Sequence, residues 1–580
     1  MRPILFVFAL FLAFSASAQK KGKTTPAPTP SKPNIILIMV DDLGYSDFGA
    51  YGSEIQTPNI DKLAYGGLRL KEFYNNSICA PTRASLITGQ YPHKAGLGYF
   101  NTNLGLPAYQ GWLNQESLTF GEVLQQGGYN TYLTGKWHVG NDSLYWPNQR
   151  GFNKFYGFIG GASNYYDISP YPEKAPPVEL VENNQRINLA PGKYLTDEIT
   201  NHALSYINES KDKPFFLYLA FNAPHWPLQA PAEDIAKYKG KYKIGWDSLR
   251  AQRYRRQLAL GIADPRQKVA ERDPEVVAWE SLTFDEKELW QRKMEVYAAM
   301  VDHVDQSVGR VVEELKKLKK DDNTLIVLIS DNGAQGGLNQ LGQRRRQRNS
   351  GPIGSAGSYD YQEQNWAYVS NTPFRNYKAT SHEGGISSPF IAWFPKKIKA
   401  GTITKGTGHL IDLAPTFYDV AGVNYPTNYR GVQTNTLPGV SLKNLLFEGN
   451  DLVRNEPIFW ERAGNRAVRK GKWKLVSLYN PPASPVPGTK SNNPWQLYDI
   501  EADRGETTDL AAVYPDVVKG LIADYEAWAK RNGVENYDKL RVVPNFPGTP
   551  NPGNNNPNNN RNNAANQGRE GQGNPRAGSN

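Results

Sequence analysis

Residues 34–44 read Asn-Ile-Ile-Leu-Ile-Met-Val-Asp-Asp-Leu-Gly. The apolar run 35–40 is unbroken and stops abruptly at two aspartates. A run of this length without polar alternation suits a strand buried on both faces, as in a parallel sheet covered by helices. The same design returns at 131–134, 215–221, 325–329 and 390–394. Helical patterns lie between these runs. One covers 118–126 and is introduced by the capping-box sequence Thr119-Phe-Gly-Glu122; another covers 292–320, with apolar residues at helical spacing. The alternation predicts an α/β fold, with a large mainly parallel or mixed sheet sandwiched by helices.

Outward from this core the composition changes. After about residue 446, aromatic-bearing alternating segments appear, Trp473-Lys-Leu-Val-Ser-Leu-Tyr479 and Trp495-Gln-Leu-Tyr-Asp-Ile500. They predict a smaller antiparallel sheet, with an amphipathic helix over 517–530 packed on it. Residues 1–18 have the form of a secretory signal: Arg2, an apolar core over 4–14, and the small-residue site Ala16-Ser17-Ala18. The expected division is therefore 1–18 signal peptide, 19–33 flexible linker, 34–446 principal domain, 447–543 C-terminal α+β subdomain and 544–580 disordered tail rich in Asn, Pro and Gly. Export to the periplasm or the medium follows, with no stable membrane insertion, because no other stretch approaches about 20 apolar residues.

Of 580 residues, 39% are hydrophobic and 12% aromatic, enough for a large core. The net charge of +10 is spread along the chain, with local runs at Lys20–Lys23, Lys316–Lys320 and Arg344–Arg348. It favours anions, but no zinc-finger, RNA-recognition or helix-turn-helix pattern accompanies it, so no nucleic-acid partner is expected. The chain holds one cysteine, Cys79, and cannot form an internal disulfide even in an oxidising compartment. By composition alone, Cys79 could equally be a buried, inert thiol.

In open α/β sheets, ligands bind beyond the carboxyl ends of the strands. Val40 is followed by Asp41-Asp42, Thr134 by Gly135-Lys136-Trp-His138, Phe221 by Asn-Ala-Pro-His225, and Ile329 by Ser-Asp331-Asn332-Gly333. Taken singly these are ordinary caps and turns. Taken together they gather carboxylates that would repel one another without a cation. Oxygen donors select a hard ion, Ca²⁺ or Mg²⁺, over zinc.

The segment Cys79-Ala-Pro81-Thr-Arg83-Ala-Ser-Leu86-Ile-Thr88-Gly89 resembles the signature of the type I, formylglycine-dependent sulfatases of the alkaline phosphatase superfamily. Thr82 stands where that family more often has Ser. The resemblance extends over most of 34–535 and includes Lys378 ahead of Glu383-Gly384-Gly385; it is nearest to the bacterial arylsulfatases, notably in the charged helical insertion over 246–300. It implies an alkaline phosphatase-like fold, so that 34–446 would be the catalytic domain. It implies that a formylglycine-generating enzyme converts Cys79 to 3-oxoalanine. Asp41, Asp42, Asp331 and Asn332, with residue 79, would hold one Ca²⁺, Mg²⁺ being the less favoured ion. Arg83 would orient the aldehyde hydrate, Lys136 and Lys378 bind sulfate oxygens, His138 assist elimination, and His225 serve as general acid together with Lys378. Substrate contacts would come from Lys136, His225 and Lys378.

The implied reaction is hydrolysis of a sulfate monoester, on a small molecule or a carbohydrate, through a covalent sulfo-enzyme at residue 79. Two alternatives stay open on sequence: a formylglycine-dependent phosphonate or phosphate ester hydrolase, and a non-catalytic binder of sulfated glycans. Among the other histidines, His202 and His303 fall inside helical patterns and read as structural. His93 and His382 are candidates for the pocket wall, and the basic run Arg344–Arg348 for contact with a polyanion.

Overall fold

The computed structural model describes residues 32–168, 178–336, 350–450, 452, 454–479 and 494–543. The signal, most of the linker, the Arg344–Arg348 run and the tail lie outside them.

The run that opens the fold forms strand β1 (Asn34–Val40), buried along its whole length. The large sheet continues with β2 (Leu68–Tyr74), β3 (Asn130–Gly135), β4 (Lys154–Phe158), β5 (Leu180–Glu182), β6 (Gln185–Ile187), β7 (Phe215–Ala220), β8 (Thr324–Ser330), β9 (Ser387–Trp393) and β10 (Thr402–His409). Their spatial order is β10-β2-β9-β8-β1-β7-β3-β4-β5-β6. The centre, β8-β1-β7-β3-β4, is parallel. β9 runs antiparallel to both β8 and β2, and β5 and β6 turn back at the far edge. The sheet is thus mixed around a parallel core, as the apolar runs predict.

Why these runs carry no polar alternation is visible in β1. Ile36, Ile38 and Val40 enter one hydrophobic core, while Ile35, Leu37 and Met39 enter the other. β8 divides in the same way, with Ile326 and Leu328 on one side and Leu325, Val327 and Ile329 on the other. The first core is covered by helices Pro58–Tyr65, Leu195–Glu209 and Phe284–Lys317, the second by Cys79–Thr88, Phe120–Gln126 and Leu413–Ala421. Burying both faces of one strand contributes on the order of 1.5–3 kcal/mol per large apolar side chain. The predicted capping box is formed: Thr119 Oγ1 accepts from the Glu122 amide, and the Thr119 amide donates to the Glu122 carboxylate.

A hairpin, β11 (Asn428–Tyr429) and β12 (Val432–Gln433), precedes the second sheet. That sheet comprises β13 (Ile458–Arg462), β14 (Asn465–Lys470), β15 (Trp473–Ser477) and β16 (Gln496–Asp499), antiparallel throughout. Helix Pro515–Asn532 packs on it, and Phe459, Val468, Leu475, Leu497 and Trp528 join the second core of the large sheet. The two sheets therefore share one apolar interior. No helix among the described residues is long and apolar enough to cross a membrane.

Candidate active site

At the carboxyl edge of the parallel strands, β1 delivers Asp41 and Asp42, β8 delivers Asp331 and Asn332, β3 delivers Lys136 and His138, and β7 leads to His225. β2 runs to the same edge and into helix Cys79–Thr88. Because β9 is antiparallel, its beginning also lies here: Ser387 pairs with Tyr74, and the segment ahead of it carries Lys378. Six chain segments thus meet at one place, and every one of the ten expected site residues is buried there.

Local backbone shape aims them. Asp42 and His138 have φ of 61° and 60°, in the left-handed region that non-glycine residues seldom adopt, and Ala379 next to Lys378 has φ of 76°. Such strain persists only where the surroundings impose it, and it collects at functional sites. Two glycines allow the chain to close in. A Cβ on Gly135 (φ 106°) would stand 1.9 Å from the Ala220 carbonyl oxygen, and one on Gly333 would stand 1.7 Å from that of Gly384.

Cys79 is the first residue of its ten-residue helix, with Ile78 as the N-cap, so negative charge developing there faces unsatisfied amides. Arg83 sits one turn on, on the same face. Its guanidinium donates to Asp331 Oδ2 at 3.2 Å, to the Lys136 carbonyl at 3.2 Å and to the Tyr218 hydroxyl at 3.4 Å. Lys136 Nζ donates to Asp41 Oδ2 at 2.6 Å, and Lys378 Nζ to Asp42 Oδ1 at 2.5 Å. Asn332 Nδ2 also reaches Asp42 Oδ1 (2.7 Å), while the Asp42 amide donates to Asp331 Oδ1 (3.1 Å). His225 Nδ1 lies 2.7 Å from the Trp226 carbonyl, which makes it the protonated nitrogen; Nε2 faces Asp42 Oδ2 at 3.5 Å.

The electrostatics follow from burial in this crowd. Burial raises the Cys79 thiol above its ordinary value, although Lys136 and Lys378 oppose the rise. As a thiol it is neutral, and a neutral thiol is a weak nucleophile. Burial and the neighbouring Asp41 push Asp331 up to about 6. Burial would also raise Asp42, but Lys378 and His225 hold it below the usual carboxylate range. Burial lowers His225 to about 3 against the pull of Asp42, and lowers His138, next to Lys136 and Arg83, well below 6.5. Burial would lower Lys378 as well, yet Asp42 keeps it firmly protonated.

Three buried oxygens, Asp41 Oδ1, Asp42 Oδ2 and Asn332 Oδ1, find no hydrogen-bond partner among the described residues. An unsatisfied buried acceptor is costly, and convergent oxygens of this kind fit a hard divalent cation. Ligand atoms of Asp41, Asp42 and His225 lie within 4.8 Å of one another. Asp331 differs from the other expected ligands in having both oxygens already engaged, by Arg83 and by the Asp42 amide.

Several residues at the site had no signal, or only a weak one, in the sequence. Tyr218, in mid-strand, accepts from Arg83; Tyr165 donates to the carbonyls of Asn222 and His225; Phe100 packs against the cluster formed by Ile78, Cys79 and Ala379. Asn222, whose amide is buried and unpartnered, could have been singled out as a polar residue directly after an apolar strand. The two histidines considered for the pocket wall pack elsewhere. His93 Nε2 meets Glu461 Oε2 at 2.7 Å, edge-on to Tyr109 and Trp528, and His382 is wholly buried toward Tyr498 of the second sheet.

The family profile described as Sulfatase matches residues 33–423, and one described as N-sulphoglucosamine sulphohydrolase, C-terminal, matches 376–524. An uncharacterized sulfatase of Schizosaccharomyces pombe is 33% identical over 90% of this chain and 96% of its own. An arylsulfatase of Klebsiella aerogenes is 35% identical over 72% of this chain and 92% of its own. Among solved structures, Ps i-CgsB in complex with k-i-k-neocarrahexaose is 29% identical, covers 88% of this chain and 95% of its own, and superposes with a TM-score of 0.63.

Proposed function

We propose, from the premise that the chain belongs to the sulfatase family, how its own residues carry out that chemistry. The protein is a sulfuric ester hydrolase: it cleaves a sulfate monoester to an alcohol or phenol and inorganic sulfate. Cys79, converted to formylglycine by a maturating enzyme, supplies when hydrated one hydroxyl to attack sulfur and a second to expel the sulfate. The buried thiol supports this, since in that setting it is held neutral.

Lys136 Nζ and Lys378 Nζ bind the sulfate oxygens, and together with the helix N-terminus at residue 79 they offset the negative charge that builds in the transition state. Arg83, anchored on Asp331 and on the Lys136 carbonyl, orients residue 79 from one turn below. Two atoms can deliver the proton that the leaving oxygen takes up. Lys378 Nζ carries one at neutral pH; His225, with Nδ1–H given to Trp226, delivers one from Nε2 once the bound sulfate beside it has drawn a proton there from solvent. His138, neutral in its buried position, accepts a proton during elimination. Asp41, Asp42, Asp331 and Asn332, with residue 79, would hold one Ca²⁺, which would polarise sulfate oxygens and ease deprotonation of the attacking hydroxyl. The orphaned oxygens of Asp41, Asp42 and Asn332 support that assignment for these three residues.

The substrate is a sulfated aryl compound or carbohydrate, by likeness to the Klebsiella aerogenes arylsulfatase and to the N-acetylgalactosamine-6-sulfatase of Rattus norvegicus, 29% identical over 77% of this chain. The chain is exported, on the strength of residues 1–18. The observation that carries the whole reading is Cys79 at a helix N-terminus, 3% exposed, with Lys136, Lys378 and Arg83 as its cationic neighbours. The test joins mass spectrometry of the peptide containing residue 79, from natively matured protein, with parallel turnover of nitrophenyl sulfate and nitrophenyl phosphate. Loss of the thiol mass and faster sulfate turnover are expected. Full activity with an intact thiol overturns the nucleophile, and faster phosphate turnover overturns the substrate.

A further inference from the structure

The second sheet sends one charged residue toward the active site that the reaction above does not use. Arg462, the last residue of β13, is 2% exposed, and none of its three guanidinium nitrogens has a hydrogen-bond partner among the described residues. The adjacent carboxylate, Glu461, is committed to His93 and to the Gly464 amide. The guanidinium stacks 5.1 Å from the ring centroid of Phe100 and 5.7 Å from that of Tyr99. A desolvated cation–π contact is worth about 2 kcal/mol. Burying an ion without a partner costs several kcal/mol, and the stack leaves all five N–H donors unused. The imbalance marks a group built to receive an anion.

Its location says which one. Phe100 also packs against the cluster formed by Ile78, Cys79 and Ala379, and its ring lies 6.4 Å from that of His138. The Phe100 ring therefore touches both the guanidinium and the cluster that holds residue 79. We propose that Arg462 recognises a second oxyanion on the sulfate ester, a carboxylate or a further sulfate, carried about one ring away from the scissile group. The proposal rests on the reading of the Cys79 pocket as the sulfate-ester site. The planar fork matches the paired oxygens of either anion. The nitrogens are closed off from solvent, so the ligand reaches them by displacing Phe100, the half-buried member of the stack, while Tyr99 keeps its face on the guanidinium.

Non-hydrolysable sulfonates test this without turnover. Calorimetric titration of the full chain compares benzenesulfonate, 4-sulfobenzoate and benzene-1,4-disulfonate. The wild type should bind at least one of the two dianions about tenfold or more tightly than the monoanion, equivalent to about 1.4 kcal/mol. The better dianion identifies the oxyanion as carboxylate or sulfate. Arg462→Met should abolish the preference and leave benzenesulfonate affinity unchanged; Arg462→Gln serves the same purpose if the methionine variant does not fold. A wild type without preference, or a variant that keeps it, overturns the proposal. Nitrophenyl sulfate turnover in the same preparations reports separately on the sulfate-ester reading: its failure with an intact dianion preference would sink that reading and leave the Arg462 site standing.

Discussion

Cys79 and Arg83 are four residues apart, and the helix converts that spacing into a nucleophile position with a cation directly beneath it. Replacing Cys79 by Ala removes the sulfur whose oxidative loss turns Cβ into the aldehyde carbon but leaves the packing of Ile78 and Ala379 nearly unchanged. Turnover should fall to background while the melting temperature stays within a few degrees of wild type, measured by assay and thermal denaturation on the same sample. His225→Ala should separate substrates by leaving group. An activated nitrophenolate departs without a proton and should lose only a few-fold, whereas an alkyl or sugar alcohol should lose on the order of 10²–10⁴, the usual weight of general acid catalysis. Equal losses across a leaving-group series would remove the proton-delivery role.

At the scale of elements, the segment that carries Lys378 is tied to the second sheet by buried charge. Glu383 accepts from Lys474 of β15 (2.8 Å) and from Arg504 (3.0 Å), and Lys474 also pairs with Glu506 (2.9 Å). Burial would raise Glu383, but Lys474 and Arg504 bring it down to about 2; burial, together with repulsion from Glu383, pushes Glu506 up to about 7 despite Lys474. Lys474→Met would strand these carboxylates and should cost about 3–5 kcal/mol, the range for a buried pair that loses one partner, read by denaturant titration. On the opposite face of the large sheet, His303 of helix Phe284–Lys317 contacts Asp234 (2.7 Å) and Asp197 (3.2 Å). Burial would lower it, but Asp197 and Asp234 carry it up to about 9. A raised histidine stabilises the fold fully below its unfolded value of about 6.5 and loses that effect as pH climbs through 9. After discounting the half-exposed Asp197, about 2 kcal/mol is at stake. The stability gap between wild type and His303→Gln should therefore narrow from pH 6.5 to above 9; a gap independent of pH would refute the linkage.

For the whole molecule, the carboxyl edge of the sheet concentrates like charges that a bound cation would reconcile. A chelator should abolish turnover and lower the melting temperature, because an ion that binds only the folded state at a hundred times its dissociation constant contributes about 2.7 kcal/mol. Added Ca²⁺ should restore both, and indifference to chelation would refute the metal assignment. What the sequence determined follows from local physics. Strands buried on both faces write continuous apolar runs, so β1, β3, β7, β8 and β9 were legible, as were the polar residues at their ends and the capping box at Thr119. Helix Cys79–Thr88 was not, because it is buried all round and has no periodic face, and the first two turns of Phe284–Lys317 were hidden by their charge, although Thr283 and Glu286 cap them. The rest belongs to tertiary structure alone. The antiparallel course of β9, which brings Lys378 to the edge where β1 ends, depends on strand pairing. The placing of Arg462 against Phe100, which packs against the cluster that holds Cys79, depends on how the second sheet docks, with Arg462 hundreds of residues along the chain from the nucleophile. Spacing in sequence specifies neighbours within a turn or a strand; which distant side chains share a pocket is decided by packing.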